Sequence, residues 1–155
     1  MIALLLLLCS TANAADYSFK YGLSVPKEGY TLQYKVFGVK RVEEFGRHFI
    51  YQLEGALVNA PAFADNTALL ASVSLGVDVS PQPTGIYFRS VWGPAYYSRK
   101  DIFLGGPFQF NHDSSVGVRD ATNHVECGYK HVSSAGIYNP NTGLDMIWCS
   151  LGTRF

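Results

Sequence analysis

His131, Ser133 and Asp145 supply a base, a nucleophile and an acid in one short stretch, with Asp145 twelve positions after Ser133. A serine hydroxyl is a weak nucleophile until an adjacent base takes its proton. On an extended strand, residues i and i+2 share a face, so the His131 imidazole can approach the Ser133 hydroxyl. A carboxylate at Asp145 can accept the other imidazole N–H, fix the tautomer and stabilise the imidazolium. Such a set cleaves esters. The charge that develops on the attacked oxygen needs donors. The backbone N–H groups of Ser134 and Gly136 are the candidates for an oxyanion hole, because glycine adopts conformations that release an N–H from a strand ladder.

The elements that must hold these groups are two strands joined by a turn. Cys127, Tyr129, His131, Ser133, Ala135 and Ile137 alternate onto one face of the first. Asp145, Ile147, Cys149, Leu151 and Thr153 alternate onto one face of the second. The turn between them contains Asn139-Pro140-Asn141-Thr142-Gly143. Both faces are mostly apolar, and Gly128, Lys130, Ser134 and Gly136 fall on the opposite side. A His, a Ser and an Asp on the apolar side of a hairpin suit ester chemistry at a lipid surface. A register with His131 opposite Asp145 also sets Cys127 opposite Cys149. A turn centred slightly later offsets both pairs. A disulfide between Cys127 and Cys149 and a pair of small apolar thiols are therefore both open readings.

The 155 residues suffice for one domain, and the formal net charge of zero gives no footprint for nucleic acid. Ten Tyr, ten Phe, two Trp and fifteen Gly suit strands and turns better than helices. Residues 1–14 read as a secretory signal peptide, although the usual positive start is missing. Leu4 to Leu8 form its apolar core and Ala12-Asn13-Ala14 its small-residue cleavage site. Cys9 is a poor lipoprotein site, since bulky Leu8 precedes it. Residues 15–155 then form the mature domain, exported to a compartment that permits disulfides.

Nine apolar or alternating runs follow. They are Tyr17–Val25, Tyr30–Gly38, His48–Val58, Leu69–Val79, Gly85–Trp92, Ile102–Asn111, Ser115–Asp120, Glu126–Tyr138 and Asp145–Phe155. Gly93-Pro94 and His112-Asp113 are among the breakers between them. Eight or nine strands after a signal peptide fit either a soluble sandwich or lipocalin-like barrel, or a small outer-membrane barrel. Three features favour the membrane. The last strand alternates and ends on Phe155. Aromatics such as Trp92, Tyr96, Tyr97 and Trp148 gather near strand ends, as interface girdles do. Apolar faces are backed by small or polar ones. The expected fold is all-β, an eight-stranded antiparallel transmembrane β-barrel. Lys130 and Arg154 are expected inside it, paired with acids such as Glu54 or Glu126. His48, His112 and His124 lack a metal-ligand pattern and read as surface or loop residues. Glu43-Glu44, near Arg41 and Arg47, reads as a solvated turn. No metal or cofactor is expected.

At these residues the chain resembles a known family. The segment from Gly128 to Ile137 and the turn from Asn139 to Asp145 are similar to the lipid A 3-O-deacylases, eight-stranded outer-membrane barrels of Gram-negative bacteria. Leu104-Gly105-Gly106-Pro107-Phe108-Gln109-Phe110 and Gly117-Val118 match the family's style. The resemblance implies His131 as base, Ser133 as nucleophile and Asp145 as orienting acid, with lipid A of lipopolysaccharide as the substrate and the outer membrane as the location. It implies a serine esterase among outer-membrane lipids, and homodimerisation is compatible with it. Two positions depart from the family pattern: Ser134 replaces an Asn, and Asp145 replaces a Glu that is one methylene longer. Outer-membrane phospholipase A has a similar His-x-Ser-Asn arrangement, but it resembles a twelve-stranded barrel too large for this chain. The remaining rival is a structural or adhesion barrel with no chemistry at all.

Overall fold

Side-chain alternation along this chain is resolved by closure. The structure, a computed structural model, describes residues 15–27, 34–59, 67–80, 83–100 and 103–155. The expected signal peptide, residues 1–14, lies outside the described residues, as do residues 30–33 of the expected second strand. Eight strands form one closed barrel: β1 (Ala15–Ser24), β2 (Lys35–Glu44), β3 (Phe49–Asn59), β4 (Thr67–Val79), β5 (Gly85–Tyr97), β6 (Phe108–Arg119), β7 (Asn123–Ser133) and β8 (Leu144–Arg154). Each pairs antiparallel with its sequence neighbour, and β1 pairs with β8 to leave no open edge. The Ala15 N–H donates to the Phe155 carbonyl at 3.1 Å, and the Phe155 N–H donates to the Ala15 carbonyl at 3.1 Å. Strands of ten to thirteen residues match what a tilted strand needs to cross a hydrocarbon layer.

The two faces of the wall differ as membrane insertion requires. Outward positions such as Phe19, Leu57, Leu75, Ile86, Val116 and Leu151 are exposed large apolar residues on different strands. A continuous apolar band around a barrel is the surface that lipid tails cover. Inward positions are mostly polar through the lower and middle barrel, with Val42, Ile50 and Val91 as a small apolar cluster among them. Lys130 donates to Glu54 at 2.8 Å, and Lys20 donates to Asp113 at 2.9 Å and to Glu54 at 3.3 Å. Trp148 Nε1 donates to Asp113 at 3.0 Å, and the Lys20 ammonium sits 3.9 Å from the Trp148 ring centroid. The indole has room because the facing residue is Gly128, where a Cβ would lie 2.8 Å from Trp148 Cζ2. Arg89 bridges Asp16 and Asp78, and Arg154 donates to Asp16 at 2.8 Å and Glu44 at 2.9 Å. So Lys130 pairs with Glu54 as expected, while Arg154 chooses Asp16 and Glu44. Toward the other end the interior turns apolar, with Tyr34, Leu70, Tyr97, Phe103, Leu104 and Val132 packed together.

Loop lengths orient the barrel. The connections 45–48, 80–84 and 120–122 are short, whereas 25–34, 60–66, 98–107 and 134–143 are longer. Outer-membrane barrels carry short turns on the periplasmic side and longer loops outside. The turn after β6 is closed by Asp120, whose carboxylate accepts the Thr122 and Asn123 N–H groups at 2.7 Å each. Those backbone bonds hold its pKa below the ordinary aspartate value. The end that bears Ser133 and Asp145 is the long-loop end.

Tyr97 and Trp148, expected in an interface girdle, are instead buried inside the barrel. Ile102–Asn111 and Ser115–Asp120 are not two strands: β6 runs unbroken through His112-Asp113. Asp113 faces the interior and is consumed by Lys20 and Trp148, so its polarity marks a lumen position and not a turn. Gly93-Pro94 likewise lies inside β5. Arg41 and Glu43 do not form a solvated turn but a buried ion pair on β2.

Candidate active site

The site is built on the β7–β8 hairpin. Alternation turns Tyr129, His131 and Ser133 of β7 to the outside of the wall, with Asp145, Ile147 and Cys149 of β8 beside them. Lys130 and Val132, the intervening residues, are fully buried inside. The ladder sets His131 opposite Asp145 and Cys127 opposite Cys149. His131 Nδ1 lies 2.6 Å from Asp145 Oδ1. An ionised carboxylate only accepts, so Nδ1 carries the proton and Nε2 is left as the basic nitrogen. Four rungs further along, Cys127 and Cys149 are joined as a disulfide that ties the two strands on the same outer face.

Asp145 is held from three sides. Besides His131, the Tyr129 hydroxyl donates to Oδ1, and Lys27 makes an ion pair with Oδ2 at 3.0 Å. Lys27 also donates to the Thr142 carbonyl, and the Val25 N–H donates to the Asp145 carbonyl at 2.8 Å. The first long loop therefore clamps the start of β8. Tyr129 was legible as a same-face neighbour of His131. Lys27 had no signal, because its approach depends on barrel closure between β1 and β8.

The turn beyond Ser133 is braced by polar bonds. The Ser134 N–H donates to Asn141 Oδ1 at 2.8 Å, and Ser134 Oγ accepts the Tyr138 N–H at 3.2 Å. The Ser134 amide, expected as an oxyanion donor, is thereby committed to the turn, and Ser134 is buried. Gly136 does not point into the lumen, since β7 ends at Ser133 and Gly136 lies exposed in the turn. Ala135 and Gly136 take positive φ values of 51° and 87°. That conformation turns their N–H groups out of any ladder, and among the described residues neither has a backbone acceptor. The Ser133 hydroxyl is not hydrogen-bonded to His131 among the described residues. In sites without substrate this bond is often long and closes only in the reacting complex.

Gly143 controls the other side of the imidazole. Its φ is +72°, and a Cβ there would stand 2.7 Å from His131 Cε1. Gly143→Ala is therefore expected to push the ring off its line to Ser133. A displacement of this size should lower kcat roughly 10- to 100-fold. Steady-state kinetics on refolded protein checks it, and an unchanged kcat would remove Gly143 from the site.

His112, expected on the surface or in a loop, lies within β6 and faces outward directly opposite His131. Its ring stacks on Trp92 with centroids 4.9 Å apart. His124 is buried on the inner face of β7, and His48 sits in a short turn.

The family described as lipid A 3-O-deacylase (PagL) matches residues 14–154. None of the curated proteins matches the chain. Among solved structures, the outer membrane enzyme PagL is similar with a TM-score of 0.62 at 17% identity, over 90% of this chain and 98% of that one. The N-terminal barrel domain of Pseudomonas aeruginosa OprF gives 0.69 at 10% identity, over 94% and 100%. Ail, the attachment invasion locus protein of Yersinia pestis, gives 0.61 at 13% identity, over 94% and 100%. At such identities these structures speak for the barrel fold alone.

Proposed function

The chain belongs to the lipid A 3-O-deacylase family, and from that premise we propose that it removes the ester-linked acyl chain at the 3-position of lipid A by a Ser133–His131–Asp145 mechanism. The observation that carries the reading is the His131–Asp145 hydrogen bond on the outward, lipid-side face of an outer-membrane barrel. The substrate's acyl chains lie along that same wall.

In the proposed reaction, His131 Nε2 takes the Ser133 Oγ proton as Oγ attacks the ester carbonyl. Asp145 holds the Nδ1–H and stabilises the imidazolium that forms. The N–H groups of Ala135 and Gly136 receive the oxyanion. Collapse expels the sugar 3-oxygen, which takes its proton from His131. Water, deprotonated by the same imidazole, then attacks the acyl-serine, and His131 passes that proton to the departing Ser133 Oγ as the fatty acid is released. The shorter Asp145 serves where the family carries Glu because β7 and β8 pair His131 and Asp145 directly. Asn141 braces the turn where the family uses an Asn at position 134. Residues 1–14 would act as the export leader.

The test is mass spectrometry of lipid A from a Gram-negative host that expresses the wild-type chain or Ser133→Ala. Loss of one acyl chain with wild type only is the expected result. Unchanged lipid A, from a chain shown to be folded in the outer membrane, would overturn the proposal.

A further inference from the structure

A second polar cluster interrupts the apolar wall beside the site. Ser90 on β5 and Ser114 and His112 on β6 lie on the outward side of the wall, Ser90 buried beneath its neighbours and the other two half-buried, whereas Phe88, Trp92, Phe110 and Val116 along the same strands are exposed apolar residues. Ser114 Oγ lies 2.9 Å and Ser90 Oγ 3.3 Å from His112 Nε2, and the two hydroxyls are 2.8 Å apart. Trp92 stacks flat on the imidazole and fixes its plane. Polar groups facing hydrocarbon are costly and tend to be functional. A wall with only a structural task would carry aliphatic residues here.

The cluster is continuous with the proposed catalytic groups. Trp92, His112, His131 and Asp145 are successive cross-strand partners, and so are Ser90, Ser114, Tyr129 and Ile147. Directly opposite residues have Cα atoms about 4.5–5.5 Å apart. Ser133 is diagonal to His112, a separation of about 7–8 Å, so a substrate group a few bonds from a carbonyl at Ser133 falls between the two side chains.

The hydrogen-bond inventory selects the group. The three side chains hold three polar hydrogens, one on the ring and two on hydroxyls. If Nε2 accepts from a serine, the Nδ1–H is left over as a donor and a serine oxygen as an acceptor. If Nε2 donates, Nδ1 is left as an acceptor and a serine hydroxyl as a donor. Either tautomer leaves one donor and one acceptor unspent, one at the ring Nδ1 and the other at the serines on the Nε2 side. A carbonyl would satisfy only the donor, and a charged group would find no counter-charge. A hydroxyl, donor and acceptor at once, can pair in either tautomer, at Nδ1 or at the serines.

We propose that His112, Ser90 and Ser114 form a subsite that binds a hydroxyl of the lipid substrate close to the scissile ester. The inference rests on the lipid esterase reading, and its source is either the acyl chain or the sugar. The test uses binding, so that it does not depend on turnover. Non-hydrolysable ether analogues of a 3-O-alkyl glucosamine lipid are titrated into full-length protein refolded in micelles, with Trp fluorescence as the signal. One pair differs in a hydroxyl on the third carbon of the chain, and a second pair in the 4-hydroxyl of the sugar. Wild type should bind the hydroxylated member of one pair about tenfold more tightly, the worth of one well-made hydrogen bond. That pair identifies the source. His112→Phe and Ser114→Ala, both suited to a lipid-facing wall, should bring the ratio close to one. Heat-modifiable migration confirms that each variant is folded. Equal affinities within both pairs for wild type, or a ratio unmoved in both variants, overturn the subsite. Hydroxyl preference without any ester hydrolysis would sustain the subsite and sink the proposed reaction. Hydrolysis without hydroxyl preference would do the reverse.

Discussion

His131→Ala and Ser133→Ala are each expected to slow release of the acyl chain by about 10⁴-fold or more, and the double variant to lose no more than either alone. In the proposed reaction the two groups act on one proton, so neither would retain its contribution without the other. Additive losses would show instead that each side chain acts separately, for example in substrate binding. Asp145→Asn should cost about as much, because an amide can present its N–H to Nδ1 and favour the wrong tautomer. The outward position of these residues makes the experiment clean. None of them joins the interior charge network, so all three variants should keep the heat-modifiable migration of the folded barrel. The check is single-turnover release of fatty acid from purified lipid A in mixed micelles.

The second large effect is on stability and lies inside the wall. Glu54 accepts from Lys130 at 2.8 Å, from Lys20 at 3.3 Å and from Gln52 at 3.3 Å, and all of these side chains are buried. Among the described residues, Glu54→Leu leaves the Lys130 ammonium with a longer approach to Asp113, at 3.7 Å. Removing one partner of a buried ion pair costs about 3–5 kcal/mol, since the other charge stays desolvated. Glu54→Leu combined with Lys130→Met should recover more than half of that loss. Denaturant unfolding in micelles or lipid vesicles measures both. A loss below about 1 kcal/mol for Glu54→Leu would mean that water enters the barrel and solvates the freed lysine.

The two outcomes separate what was legible in the sequence from what was not. The alternation of β7 and β8 could be read directly, because one face was apolar along the whole hairpin. That pattern fixed the shared face of His131 and Ser133 and offered the register that pairs Asp145 with His131. The strand count was harder. His112-Asp113 looks like a break because two polar residues in succession have no home in a half-buried sheet. A transmembrane barrel gives each a home: Asp113 meets Lys20 and Trp148 inside, and His112 meets Trp92 outside. Lys20, Glu54 and Asp113 come from β1, β3 and β6, and only closure brings them together. Lys27 and Asn141 were invisible for the same reason, as their partners are set by loop packing and not by strand period. The Ser134 amide was misread because a turn can spend a backbone N–H on a side chain further along, here Asn141.

The filled interior has a kinetic corollary. Charged pairs occupy the lower and middle barrel, and an apolar cluster closes the long-loop end. Among the described residues the interior is occupied by side chains, so in the proposed reaction the reactant and both products come and go sideways, along the outer surface. The encounter then takes place in two dimensions. The variable that sets its rate is the mole fraction of substrate among surrounding amphiphiles, and the bulk volume drops out. Adding inert detergent at constant total substrate is dilution for this catalyst, whereas adding buffer is not.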